Sequence, residues 1–174
     1  VFRGPNTVSY GANALMAVVN IITRRPADSH GTRMKVTRGQ RGINDFYASQ
    51  GTGWNGGDLR LSLSGQEDDG FDSDRSGADY RDSRRLNRFS LAVSHTLSDN
   101  QSLDWQVNAK DGTNQRPYTY RPVFSGITAA GNNSDVVAKD YAGSVRWNLD
   151  INPEHSLYIQ GSAQHWDRQQ TWRA

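Results

Sequence analysis

Leu103-Asp104-Trp105-Gln106-Val107-Asn108-Ala109-Lys110 alternates apolar and polar side chains at every step. Successive side chains of a β-strand leave opposite faces of a sheet. A period of two therefore puts Leu103, Trp105, Val107 and Ala109 on one face and Asp104, Gln106, Asn108 and Lys110 on the other. Working outward, the same period recurs. Thr32, Met34 and Val36 share a parity, as do Leu59, Leu61 and Leu63. Phe89, Leu91, Val93 and Leu97 form a third set, Tyr141, Val145, Trp147, Leu149 and Ile151 a fourth, and Leu157, Ile159, Gly161 and Ala163 a fifth. Ile43 to Gly51 reads as a strand whose facing is ambiguous. Seven strands of roughly nine to twelve residues are expected, the length that crosses a bilayer when tilted.

The connections alternate as well. Ser98-Asp99-Asn100-Gln101 and Asn152-Pro153-Glu154-His155 are tight polar turns. Long connections are expected at about Asp68 to Arg85 and Asp111 to Lys139. An antiparallel meander with short turns at one end and long loops at the other is the outer-membrane barrel pattern. A soluble antiparallel sandwich also alternates its faces and stays open as an alternative. Two features favour the membrane. The polar parity is rich in Asn, Gln, Ser and Arg, which suits a wet lumen. Trp105 and Trp147 fall at similar heights near the short-turn rim, where interfacial aromatics collect, and Trp166 is expected at the opposite rim.

Composition agrees. The 174 residues are 34% hydrophobic, and Leu, Ile, Val and Phe make up only 32 of them. That is the poverty of a disordered chain, yet the net charge is +2 and 17 residues are aromatic, which disorder does not produce. The longest nearly apolar run, Leu15 to Ile22, is far short of the ~20 residues of a spanning helix. With no cysteine, disulfide scaffolds and thiol chemistry are excluded. The near-neutral balance offers no electrostatic case for nucleic acid. Arg outnumbers Lys 17 to 3 and Asp outnumbers Glu 16 to 2, so good helix formers are scarce. The opening Val1 and the lack of a signal segment lead us to expect a piece of a longer protein.

The first 26 residues read differently. Val1-Phe2-Arg3-Gly4-Pro5 is followed by Ser9-Tyr10-Gly11-Ala12-Asn13-Ala14 and then Val18-Val19-Asn20-Ile21-Ile22-Thr23-Arg24-Arg25-Pro26. As a string this resembles the end of the plug domain of TonB-dependent outer-membrane receptors, with Arg3, Gly4, Pro5, Tyr10, Gly11 and Asn20 carrying the match in order and spacing. Where that family usually has paired glycines, this chain has Met16 and Ala17. The resemblance implies an all-β transmembrane barrel segment, about seven antiparallel strands of a 22-stranded barrel, preceded by the C-terminal part of an α+β plug. Residues 1–27 would be plug and residues 28–174 barrel wall. It further implies a bacterial outer-membrane location in contact with lipid, and energy-coupled uptake of a scarce small-molecule ligand, most often a ferric siderophore. TonB would be the partner, acting through a segment not found in this chain. A passive outer-membrane porin and a soluble all-β carbohydrate-binding or adhesion module remain as alternatives.

Several residues stand out as candidate sites. Gln115 to Phe124 interleaves aromatics and arginines, and Arg116, Tyr118, Tyr120 and Arg121 would suit capture of an anionic chelate: Arg supplies a planar fork and Tyr a ring with a hydroxyl. Asp72-Ser73-Asp74-Arg75-Ser76-Gly77 opens like a calcium loop, but position twelve is Ser83, so a solvated loop is the expectation. Arg3 could pair with barrel carboxylates, or it could simply be solvated at a strand end. Arg24 and Arg25 read as a solvated linker. His30, His95, His155 and His165 have no metal or catalytic spacing, so neither an enzyme, a cofactor nor a metal is expected. His165 and Trp166, adjacent on a strand, should face opposite ways.

Overall fold

The computed structural model describes residues 24–70, 82–116 and 133–173, together with two short strands, β1 (Phe2–Arg3) and β2 (Ala17–Val18). β1 and β2 pair antiparallel, with Phe2 opposite Val18 and Arg3 opposite Ala17. One 3-10 turn, Ala27–Ser29, leads into a meander. Its strands are β3 (Gly31–Arg38), β4 (Asn44–Trp54), β5 (Gly57–Asp68), β6 (Arg84–Ser98), β7 (Gln101–Arg116), β8 (Asn133–Asn152) and β9 (His155–Arg173). They form one antiparallel seven-stranded sheet in chain order. Among the described residues no helix is long and apolar enough to cross a membrane, which says nothing of strands.

The alternation expected from sequence is realised in phase. Strand partners point to the same face, and the register lines Met34, Ala48, Leu63, Phe89, Ala109 and Tyr141 into one row across the sheet. Two residues along, Leu61, Leu91 and Val107 share the next apolar row. A slip of one residue at any strand would turn its apolar set to the other face, so this agreement pins the register. β4 was ambiguous because Gln50 and Thr52 share the parity of Phe46 and Ala48. Its neighbours settle it: Phe46 pairs with Val36 and Gly65, and Tyr47 with Lys35 and Ser64.

The strands depart from the expected lengths. β3 has 8 residues, whereas β7, β8 and β9 have 16, 20 and 19. Asp111 to Arg116 and Ser134 to Lys139, expected in a long connection, pair with each other instead. The sequence offered no period there because Asp111, Thr113 and Gln115 take the apolar-parity positions. Leu97 also leaves its expected set. The register shifts between Thr96 and Ser98, as it does between Asp150 and Asn152, each time beside a two-residue turn. Asn152 Oδ1 closes the last turn by accepting from the backbone N–H groups of Glu154 (3.0 Å) and His155 (2.9 Å). A third two-residue turn, Asn55-Gly56, joins β4 to β5, with Gly56 at φ 113°. All three lie at the same end of the sheet, opposite the β3–β4 turn at residues 39–43.

The apolar face is bare. Among the described residues only Val93 and Val136 are buried hydrophobics, while Met34 is 79% exposed and Ile159 63%. The belt is also oblique. The row that begins at Val36 and Phe46 continues through Gly65 and Asn87 and ends at Asp111, Lys139 and Asp167. The row that begins at Trp54 and Gly57 ends at Trp147 and Ile159. The centre of the belt thus slides by roughly six residues over six strand steps. At ~3.3 Å per residue and ~4.8 Å per step, that slope is about 35°.

Candidate functional site: the polar face

The other parity builds a hydrogen-bonded surface. Near the short turns, Asp104 on β7 is its hub. Ser94 Oγ donates to Asp104 Oδ1 (2.6 Å), and Asn148 Nδ2 donates to Asp104 Oδ2 (2.9 Å) and to Ser102 Oγ (3.1 Å). Arg146 Nε donates to Asn148 Oδ1 (2.7 Å), and its guanidinium lies 4.1 Å from the centre of the Tyr158 ring. These groups come from β6, β7, β8 and β9 and meet because Ser94, Asp104 and Arg146 occupy one row. With Arg24, Arg25, Arg60, Gln106 and Gln160 they line a concave trough of about 980 Å³.

Towards the long-loop end the face becomes ionic. Arg84 pairs with Asp68 (3.0 Å), Lys110 with Asp140 (3.3 Å), and Arg88 Nη1 donates to Gln66 Oε1 (2.9 Å). These are exposed cross-strand contacts that fix register more than they add stability.

Among the described residues, no histidine reaches the Ser94–Asp104 pair. Ser94 and Asp104 are in contact, yet His95 lies on the opposite face, its ring 6.0 Å from that of Trp54. His155 is held in its turn by Asn152 (3.0 Å). Among the described residues no group of three His, Asp or Glu side chains converges as a metal site would require.

The residues singled out from sequence fare unevenly. Arg3 stands on β1, its backbone paired with Ala17. Arg116 closes β7 opposite Ser134 on β8. Tyr118, Tyr120 and Arg121, the Asp72–Gly77 stretch, and Gly4, Pro5, Tyr10, Gly11 and Asn20 lie outside the described residues. Arg24 and Arg25 are exposed, as a solvated linker would be, and both line the trough. Trp105 and Trp147 share the apolar face in neighbouring rows. Trp166 does not join them: it pairs with Asp140 on the polar face, while His165 pairs with Tyr141 on the apolar one. The parity of β9 decides this, and it confirms that His165 and Trp166 face apart. Sequence reasoning missed the Asp104 hub and the Arg146–Tyr158 contact.

The chain matches no family model, no curated protein and no solved structure.

Proposed function

We propose that this sheet is part of the wall of an outer-membrane β-barrel, and that the whole protein is a TonB-dependent type of receptor importing a scarce ligand such as a ferric siderophore. The observation that carries the membrane reading is the oblique belt. Barrel strands tilt by ~35–45° from the barrel axis, so a horizontal slab of lipid crosses their rows at that angle. The slope of about 35° follows from the register and owes nothing to the resemblance. The uncovered apolar side would meet lipid, and the polar side would line a wet lumen. The excess length of β7 to β9 lies beyond the charged row ending at Asp111, Lys139 and Asp167, where it would project outside the bilayer.

The receptor assignment rests on the plug-like string at residues 1–26, ending where the first wall strand begins. In this reading the ligand is cargo, TonB is the partner, and no catalysis is involved. Two measurements test the proposal. Brominated lipids should quench Trp54, Trp105 and Trp147 and spare Trp166; a monodisperse aqueous monomer with unquenched tryptophans would sink the membrane reading. Ferric-siderophore uptake by the whole protein should require the proton gradient. Uptake indifferent to it would make the protein a passive porin.

A further inference from the structure

The chain crosses onto the sheet through Arg24 to His30, and that crossing is built with unusual care for a linker. Ser29, 4% exposed, sits against β4 at Gly51, where any Cβ would collide with the Ser29 carbonyl. Two residues on, a Cβ at Gly53 would lie 2.8 Å from Asp58 Oδ1 and 3.1 Å from the His30 ring. Side chains are thus missing from β4 exactly beneath the segment's backbone and its ring. Polar contacts hold it from β5. Arg60 Nη1 donates to the Arg24 carbonyl (3.2 Å) and to Ser29 Oγ (3.4 Å), and His30 Nε2 meets Asp58 Oδ1 at 2.5 Å. Ser29 Oγ also donates to the Arg25 carbonyl (2.8 Å), tightening the turn itself.

We infer that Gly51, Gly53, Asp58 and Arg60 form a docking slot on the wall whose occupant is the chain's own Arg24–His30 segment, a clip that holds the crossover on the polar face when the residues before it rearrange. A flexible tether would need none of these contacts; solvated side chains on an ordinary strand would serve. The slot has two bare backbone positions spaced to one face, a cation reaching a carbonyl, and a carboxylate on an imidazole. They stand in two rows of the sheet, Gly51 beside Arg60 and Gly53 beside Asp58, and all converge on seven residues. The slot itself stands on these distances. Its use, to stop a movement of the preceding segment from reaching β3, rests on the receptor reading and is tested separately by uptake.

The Arg24–Arg25 bond gives a direct readout, because trypsin cuts after Arg24, the residue whose carbonyl Arg60 holds, while Pro26 protects the next bond. On the 174-residue chain folded in detergent, cutting after Arg24 should be slower than in the same chain unfolded by urea, with the cut after Arg41 in the β3–β4 turn as an internal control. Gly51→Val and Arg60→Gln should each speed the Arg24 cut by roughly tenfold, since proteolysis tracks the opened population, and leave the Arg41 cut unchanged. Gly51→Val speeding every site would mean damage to the sheet, and Arg60→Gln, which alters no backbone, then decides. An unchanged Arg24 rate in Arg60→Gln, or a wild-type Arg24 bond cut as fast as in the unfolded chain, overturns the clip. Either result leaves the uptake test of the receptor reading untouched.

Discussion

The two faces of this sheet are made by the same strands at alternate positions, yet they are finished in opposite ways. On the apolar side, side chains meet sideways across rows and are capped by nothing: Tyr141 is 52% exposed and Val145 45%. On the polar side, Asp104, Asn148, Arg146 and Arg60 are tied into hydrogen bonds, and a segment of chain is seated on the surface. The contrast teaches that the fold has no interior of the ordinary kind. Its stabilisation is divided between backbone ladders, side-by-side apolar contacts left uncovered on one side, and a polar network open to water.

The largest expected effect tests the apolar side. Leu91→Arg, at the centre of the belt, should cost about 2–4 kcal/mol of folding stability in vesicles, whereas Ser90→Arg on the other face should cost little. Equal costs, measured by reversible denaturant titration, would break the comparison.

A smaller effect sharpens it. The Phe46 ring lies across Gly65 on the apolar face, so a Cβ there must displace it, while Gly161 on the edge strand β9 has nothing within 4 Å of a Cβ. Gly65→Ala should lose about 1–3 kcal/mol by overpacking, and Gly161→Ala should be neutral or slightly stabilising. Chemical denaturation of the two variants in detergent checks the sign. Loss of stability in both would show that a glycine backbone, not the ring, is what matters.

The smallest effect belongs to the polar side. Lys110→Ala removes an exposed ion pair with Asp140 and should change stability by less than about 0.5 kcal/mol, falling further as salt is added. A loss several times larger would mean that the ionic end of the polar face is shielded from water far more than its exposure indicates.

Much of this was legible in the residues. Leu103 to Lys110 announces its two faces unaided, and the turn at Asn152-Pro153 follows from an Asx side chain beside a proline. Other parts were not. β4 hides its facing because Gln50 and Thr52 take apolar-parity positions. Trp166 reads as a rim aromatic until its partner Asp140 puts it on the polar face. The clip is invisible in sequence, since Gly51 and Gly53 look like any strand glycines until Ser29 and His30 lie over them.

By itself, then, the sequence determined which side chains share a face, because strand geometry alternates with no help from distant residues. It also determined that one end of the sheet turns tightly. The tertiary structure alone decided how neighbouring strands align, and with that the slope of the belt, the meeting of Asp104 with Asn148 and Ser94, and the seating of the crossover. These depend on hydrogen-bonded register between segments far apart in the chain, and a single-residue shift would change them all while leaving each strand's own pattern intact.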